Sequence, residues 1–231
     1  MNKTICTELI INFATKMEEY LAGCLSKEKA IVETKSLLSA NLIDSFFDDL
    51  DEVKAKLAKD LDFYMQSDPA ADSEEEVVFA YPGYKAIVYY RLANVLVKYD
   101  QRFIARVISE HAHYLTGIDI HPAASIGCPF FIDHGTGIVI GETAIVGDYV
   151  KMYQGVTLGA ISLSKGASLK GVKRHPTIKN HVTIYSNASI LGGDVVIGNN
   201  VVIGSNVFLS KSVPDNHKVI MSPQELVMEE K

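Results

Sequence analysis

Two short segments hold the side chains best suited to chemistry: Asp133-His134-Gly135 and Arg174-His175-Pro176. Histidine has an unperturbed pKa near 6.5, so it can serve as a general base at neutral pH. A hydroxyl is a poor nucleophile until such a base removes its proton. His134 directly follows an acid, a setting unlike that of a core histidine; on the residues alone a catalytic and a structural role stand level. Other polar residues read as structural. Asp119 by itself suits a corner where its carboxylate bonds backbone amides. Asp68-Pro69 has the form of a helix N-cap followed by Pro at the first helical position. His121, before Pro122, reads as structural. His111 and His113 sit two apart, share no helical face, and read as surface or interface residues. His181 and His217 show no obvious partner, and Cys128 reads as a small packed side chain.

The chain that must position these residues has 231 of them, 48% hydrophobic and 22% charged. That is ample for a core and too apolar for disorder. No stretch approaches the roughly 20 apolar residues of a membrane helix, and the first residues do not have the form of a signal peptide. A net charge of -6 does not suit a nucleic-acid binder. Three sparse cysteines point to a reducing compartment, with the cytoplasm as the expectation. The average hides a split. Residues 1–77 hold 17 Asp+Glu and 8 Lys+Arg, a net of -9, whereas residues 78–231 hold 11 and 14, a net of +3. Of the 16 glycines, 14 lie between Gly117 and Gly204.

The first part, residues 1–116, reads as an α-helical domain. Leu50, Val53, Leu57 and Leu61 recur at helical spacing, as do Ile87, Val88, Leu92, Val95 and Leu96. Breaks fall at Ser67-Asp68-Pro69-Ala70 and at Tyr81-Pro82-Gly83. Glu74-Glu75-Glu76 suits a solvated first turn.

The second part, residues 117–213, repeats every six residues. Aliphatic anchors run Ile120, Ile126, Ile132; Ile140, Val146, Met152, Leu158; Ile178, Ile184, Ile190; Ile197, Ile203, Leu209. A period of six fits neither an amphipathic helix nor a hairpin. It is the repeat of a β-helix solenoid, with a short strand and a corner per hexapeptide. Three hexapeptides per coil give a little over four coils, a prism roughly 20 Å long at about 4.8 Å per coil. The period breaks between Ile132 and Ile140, between Leu158 and Ile178, and between Ile190 and Ile197. The first break holds Asp133-His134. The second is an excursion loop, 159–177, ending in Arg174-His175. Loops on rigid scaffolds are where function collects. Residues 214–231 form a C-terminal tail.

The strings Asp119-Ile120-His121-Pro122, Asp133-His134-Gly135-Thr136-Gly137, Val156-Thr157-Leu158-Gly159 and Arg174-His175-Pro176 together closely resemble the serine O-acetyltransferases. These are hexapeptide-repeat enzymes of cysteine biosynthesis. The helical region with Asp68-Pro69-Ala70 is also similar to that family's N-terminal domain. The resemblance implies an α+β multi-domain chain, an N-terminal α-helical domain followed by a left-handed parallel β-helix. It implies acetyl transfer from acetyl-CoA to L-serine, with His134 as the base and Asp119 orienting and stabilising its imidazole. It places Asp68 and Asp133 at the serine ammonium and Arg174 at its carboxylate, a task that suits a planar guanidinium, with His175 as a further substrate contact. Gly159, Ala160, Ser186 and Gly204 would contact the cofactor, and no metal is expected. Asp119 and His134 are fifteen apart and a coil is eighteen, so the two are expected on adjacent coils near one corner.

The resemblance further implies a homotrimer or dimer of trimers with each site between two subunits, and L-cysteine as a feedback inhibitor. Residues 149–193 carry six basic residues, Lys151, Lys165, Lys170, Lys173, Arg174 and Lys179, and no acid, which suits the phosphates of CoA. Many members end in a Gly-rich tail with a terminal Ile that docks in O-acetylserine sulfhydrylase. The acidic run 223–231 has neither feature, which counts against that complex. Other acceptors, homoserine or a sugar hydroxyl, are a second reading. A zinc hydratase on the same prism, with ligands drawn from His121, His134, His175 and His181, is a third. A non-catalytic scaffold is a fourth.

Overall fold

A computed structural model describes residues 6–162, 166–169 and 171–222. Lys165, Lys170 and the acidic run from Pro223 lie outside them. The helical part holds α1 (Thr7–Leu21), α2 (Lys27–Thr34), α3 (Ala40–Ser67), α4 (Glu74–Ala80), α5 (Pro82–Lys98) and α6 (Arg102–Thr116). The breaks fall where proline demands them: α3 stops at Ser67, and α5 opens with Pro82 at its first position. Asp68, however, is not an N-cap. It follows the last residue of α3, and its Oδ1 accepts from the Ala70 N–H at 2.8 Å. The cap of α4 is Ser73, whose Oγ accepts from the Glu76 N–H at 3.1 Å, with Glu74, Glu75 and Glu76 in the first turn. No helix among the described residues is long and apolar enough to cross a membrane.

Gly117, with φ +70°, closes α6 and hands the chain to a parallel β-solenoid. One face stacks the strands Asp119–Ile120, Val139–Ile140, Thr157–Gly159, Ser189–Leu191 and Phe208–Leu209. A second stacks Ser125–Ile126, Ile145–Val146, Thr177–Ile178 and Val196–Ile197, with Val213 bridging to Ile197 above them. The third stacks Phe130–Asp133, Val150–Tyr153, Thr183–Ile184, Val202–Ile203 and Lys218–Val219. The solenoid therefore reaches five levels, beyond Leu209, the last anchor visible in the repeat. Anchors such as Ile140, Met152, Leu158, Ile184 and Ile203 point inward and are fully buried. At the corner between the second and third faces, Asp148, Asn180, Asn199 and Asp215 each accept a backbone N–H from the level beside them, at 2.8–3.2 Å. This ladder satisfies amides that the tight corner leaves without strand partners.

The first coil would present an open strand edge, which sheets must cover. Helices α3 and α5 cover it. The Tyr64 hydroxyl donates to the Ile132 carbonyl at 2.9 Å and accepts from its N–H at 3.1 Å. The Tyr90 hydroxyl donates to the Ala124 carbonyl at 2.7 Å and accepts from the Ile126 N–H at 3.1 Å. Asp60 accepts from the Phe130 N–H and is bound at both oxygens by Arg91, which also reaches the Gly127 carbonyl. Gly83 makes the approach possible: a Cβ there would lie 2.3 Å from the Ile132 carbonyl oxygen. The helical domain is thus the cap of the solenoid.

Candidate active site

His134 stands where the solenoid takes in two extra residues. Asp133 pairs with Tyr153, and Val139 with Thr157. That is six steps on the first coil against four on the next. The surplus leaves as a tight turn in which the Gly135 N–H reaches the Asp133 carbonyl at 2.6 Å. His134 has φ +57°, a conformation uncommon for residues with a side chain. Its imidazole is 69% exposed, with Nδ1 3.6 Å from Asp133 Oδ1. At Gly135, φ +83°, a side chain would be strained, and its Cβ would sit 2.4 Å from Ile118 Cδ1. Asp68 faces the same corner. Its Oδ2 accepts from the Tyr81 hydroxyl at 2.9 Å. Burial, then the bond and charge of Asp68, push the Tyr81 phenol up to about 12, with Asp133 adding to it. Tyr153 is raised by burial first, then by Asp133 and Asp68. The two carboxylates expected at an ammonium therefore share one neighbourhood, with Tyr81 and Tyr153 beside them.

Arg174 and His175 lie at a different corner, between the first and second faces. Arg174 is ion-paired with Glu142. His175 is buried, and its Nδ1 accepts from the Thr143 N–H at 3.0 Å, so its proton rests on Nε2. Burial, Arg174 and Lys173 push its pKa down to about 4. The ring lies over Gly141, where a Cβ would meet it at 2.2 Å. His121 belongs to this corner too: its Nδ1 accepts from the Ala123 N–H at 3.1 Å, and burial, then Arg106, lower its pKa.

Asp119 opens the first face, on the same coil as His134 rather than the adjacent one, at the far side of the shared corner. Among the described residues no hydrogen bond or ion pair joins it to His134. Gly159 and Ala160 leave the first face at the Arg174 corner, whereas Ser186 and Gly204 stand above His134 on higher levels. The described members of the basic stretch are engaged. Lys173 donates to the carbonyls of Thr143, His175 and Pro176, Lys179 pairs with Asp215, and Lys151 lies 5.0 Å over the Phe63 ring. His181 and His217 do have partners. His181 stacks on Tyr149 at 4.7 Å, and His217 Nδ1 lies 2.8 Å from the Asp215 carbonyl. Glu142, Thr143, Tyr81 and Tyr153 escaped the reading of the sequence. Glu142 and Thr143 sit inside a regular hexapeptide, and the tyrosines carry no spacing signal.

A family model described as serine acetyltransferase, N-terminal, matches residues 4–88. A plasmid serine acetyltransferase of Synechococcus elongatus is 48% identical over 143 residues, 61% of this chain and 45% of that protein. The serine acetyltransferase of Helicobacter pylori is 50% identical over 122 residues, 53% of this chain and 68% of that protein. The matches span about half the length of the first curated relatives. Among solved structures, Entamoeba histolytica serine acetyltransferase 1 in complex with L-cysteine superposes with a TM-score of 0.80 at 33% identity. That match covers 95% of this chain and 88% of that one. The Neisseria gonorrhoeae enzyme in complex with serine gives 0.73 at 27%, covering 97% and 85%. Across the helical cap and the solenoid alike, the chain belongs to the serine acetyltransferase family.

Proposed function

We propose that the chain transfers the acetyl group of acetyl-CoA to the hydroxyl of L-serine, giving O-acetyl-L-serine and CoA. The observation that carries this is the exposed imidazole of His134, thrown out of a regular solenoid beside Asp133 and Asp68. His134 takes the hydroxyl proton as the serine oxygen attacks the thioester carbonyl. The tetrahedral intermediate collapses by breaking the C–S bond, and the departing sulfur takes the proton back from the imidazolium. Asp68 and Asp133 meet the serine ammonium; Arg174 and the Nε2–H of His175 meet the carboxylate. Asp119, which no bond among the described residues joins to His134 in the chain alone, is assigned the orienting of the imidazole on the family resemblance. No metal takes part in this scheme.

The two halves of this site do not meet within one chain. The strand between their corners runs from Gly137 to Gly141, about 13 Å at 3.3 Å per residue. In serine a single carbon separates ammonium from carboxylate. The reading therefore requires a second copy to bring its Arg174 corner against the His134 corner of the first, and we infer a homotrimer or a dimer of trimers. L-cysteine, serine with a thiol in place of the hydroxyl, fits the same groups and would inhibit by competition. A complex with O-acetylserine sulfhydrylase is not part of this reading.

The test is thiol release from acetyl-CoA with L-serine, L-homoserine or a sugar panel. L-serine is expected to drive release, and His134→Ala to lose on the order of 10²-fold or more in rate. No serine-dependent release by the wild type would sink the reading. Asp119→Asn is expected to lower the rate with serine affinity nearly unchanged; a change in affinity alone would remove its orienting role.

A further inference from the structure

The third break in the six-residue period, between Ile190 and Ile197, holds Gly192-Gly193-Asp194 and carries no group of the proposed reaction. It makes room for the returning excursion loop. A Cβ at Gly193 would lie 2.3 Å from the Lys173 carbonyl oxygen and 3.0 Å from the Arg174 Cα, so the loop backbone runs directly against this glycine. From the level on the other side, Thr143 Oγ1 accepts from the N–H groups of Arg174 at 2.9 Å and His175 at 3.1 Å. Lys173 closes the arrangement. Its ammonium donates to the carbonyls of Thr143 at 2.8 Å, Pro176 at 3.2 Å, and His175. An ammonium has three N–H donors, and three carbonyls take them. Among the described residues no backbone N–H reaches the Thr143 or the His175 carbonyl, so Lys173 supplies the donor that each needs. The charge matters as well as the bonds. Arg174 is paired with Glu142 and Arg106 with Glu110, while burial disfavours the charged forms of His175 and His121. Among the described residues no carboxylate pairs with Lys173, and burial lowers its pKa. Lys173 is therefore the net positive charge of this corner.

We propose that Lys173 is a positioning residue for the serine carboxylate: its ammonium gathers three carbonyls to fix the Arg174-His175 corner and gives that corner its net positive charge. The proposal rests on the serine reading of the chain. Lys173 does not touch the substrate. It acts through the Arg174 guanidinium and the Nε2–H of His175, whose placement depends on the backbone that the ammonium ties down. Its charge also opposes a further positive charge on His175, which keeps that imidazole a neutral donor.

Lys173→Met keeps the length of the side chain and removes the charge. In steady-state assays of the full chain it is expected to raise the KM for L-serine on the order of tenfold, the effect of one partly screened charge, and to leave the KM for acetyl-CoA unchanged. The preference for L-serine over L-serinamide, which has no carboxylate, should fall by the same factor. Lys173→Ala removes the ammonium and leaves the three carbonyls. Methylammonium should restore much of the lost serine affinity to that variant, and tetramethylammonium, which has no N–H, should not. The His175 ring gives a readout independent of turnover. In Lys173→Met its 13C resonances should titrate at a higher pH than in the wild type. A serine KM that rises no more than that for acetyl-CoA, equal effects of the two ammonium ions, or an unmoved His175 titration would overturn the proposal. A moved titration in a chain that acetylates no serine would instead remove the proposed reaction and leave Lys173 as the clamp of this corner.

Discussion

His175 shows how a buried imidazole is tuned by its neighbours. The Thr143 N–H occupies Nδ1, and burial with two adjacent cations disfavours the charged form. The ring is neutral above about pH 4, with Nε2–H as a fixed donor. The linkage has a definite sign. Between the ordinary value of 6.5 and about 4, the unfolded chain binds a proton at this site and the folded chain does not. Stability from this group is therefore complete above pH 6.5 and declines as pH falls through that window. Urea unfolding at pH 7.5 and pH 5 should show a smaller loss of stability for His175→Asn than for the wild type. An equal loss would mean that other groups carry the acid sensitivity. Gly141→Ala should displace the same ring, which a Cβ would meet at 2.2 Å. The expected outcome is a raised KM for serine in a folded protein, measured against circular dichroism of the variant.

The hexapeptide period and the proline breaks made the elements legible, because burying an anchor at each turn forces that spacing on the chain. What joins helix to solenoid was not legible. Asp60 lies on the apolar side of α3 and reads as an ordinary acid in a charged helix. It is fully buried, and Arg91, 31 residues on, binds both its oxygens. Removing one partner leaves a buried charge unpaired. Asp60→Ala is accordingly expected to cost about 3–5 kcal/mol, measured by chemical denaturation. Asp68 misled for a related reason. Asp-Pro is a common helix start, but Ser73 with three following acids is the stronger cap, and the carboxylate of Asp68 turned instead to Ala70 and Tyr81.

Assembly is the largest consequence of the proposed function. One chain carries the proposed base and two carboxylates at one corner, and a guanidinium and an imidazole donor at another, a strand's length away. Mixing His134→Ala and Arg174→Ala chains, unfolded together and refolded, should restore activity that neither has alone. Random assortment in a closed ring leaves roughly a quarter of the shared sites intact. No recovery, in mixed oligomers verified by native mass spectrometry, would place both halves of the site within one chain.

By itself the sequence determined the solenoid, its interruptions, and the residues that leave it, because a strict six-residue burial period makes every departure visible. His134 was legible as a departure, and Arg174-His175 as the end of one. Only the tertiary structure decided which of these residues share a corner. Stacking by coil brings together residues whose separations depend on every insertion between them, such as Asp68 with Asp133, or Glu142 with Arg174. Period alone does not encode those separations. The three carbonyls that Lys173 gathers likewise converge only once the loop has returned to the solenoid.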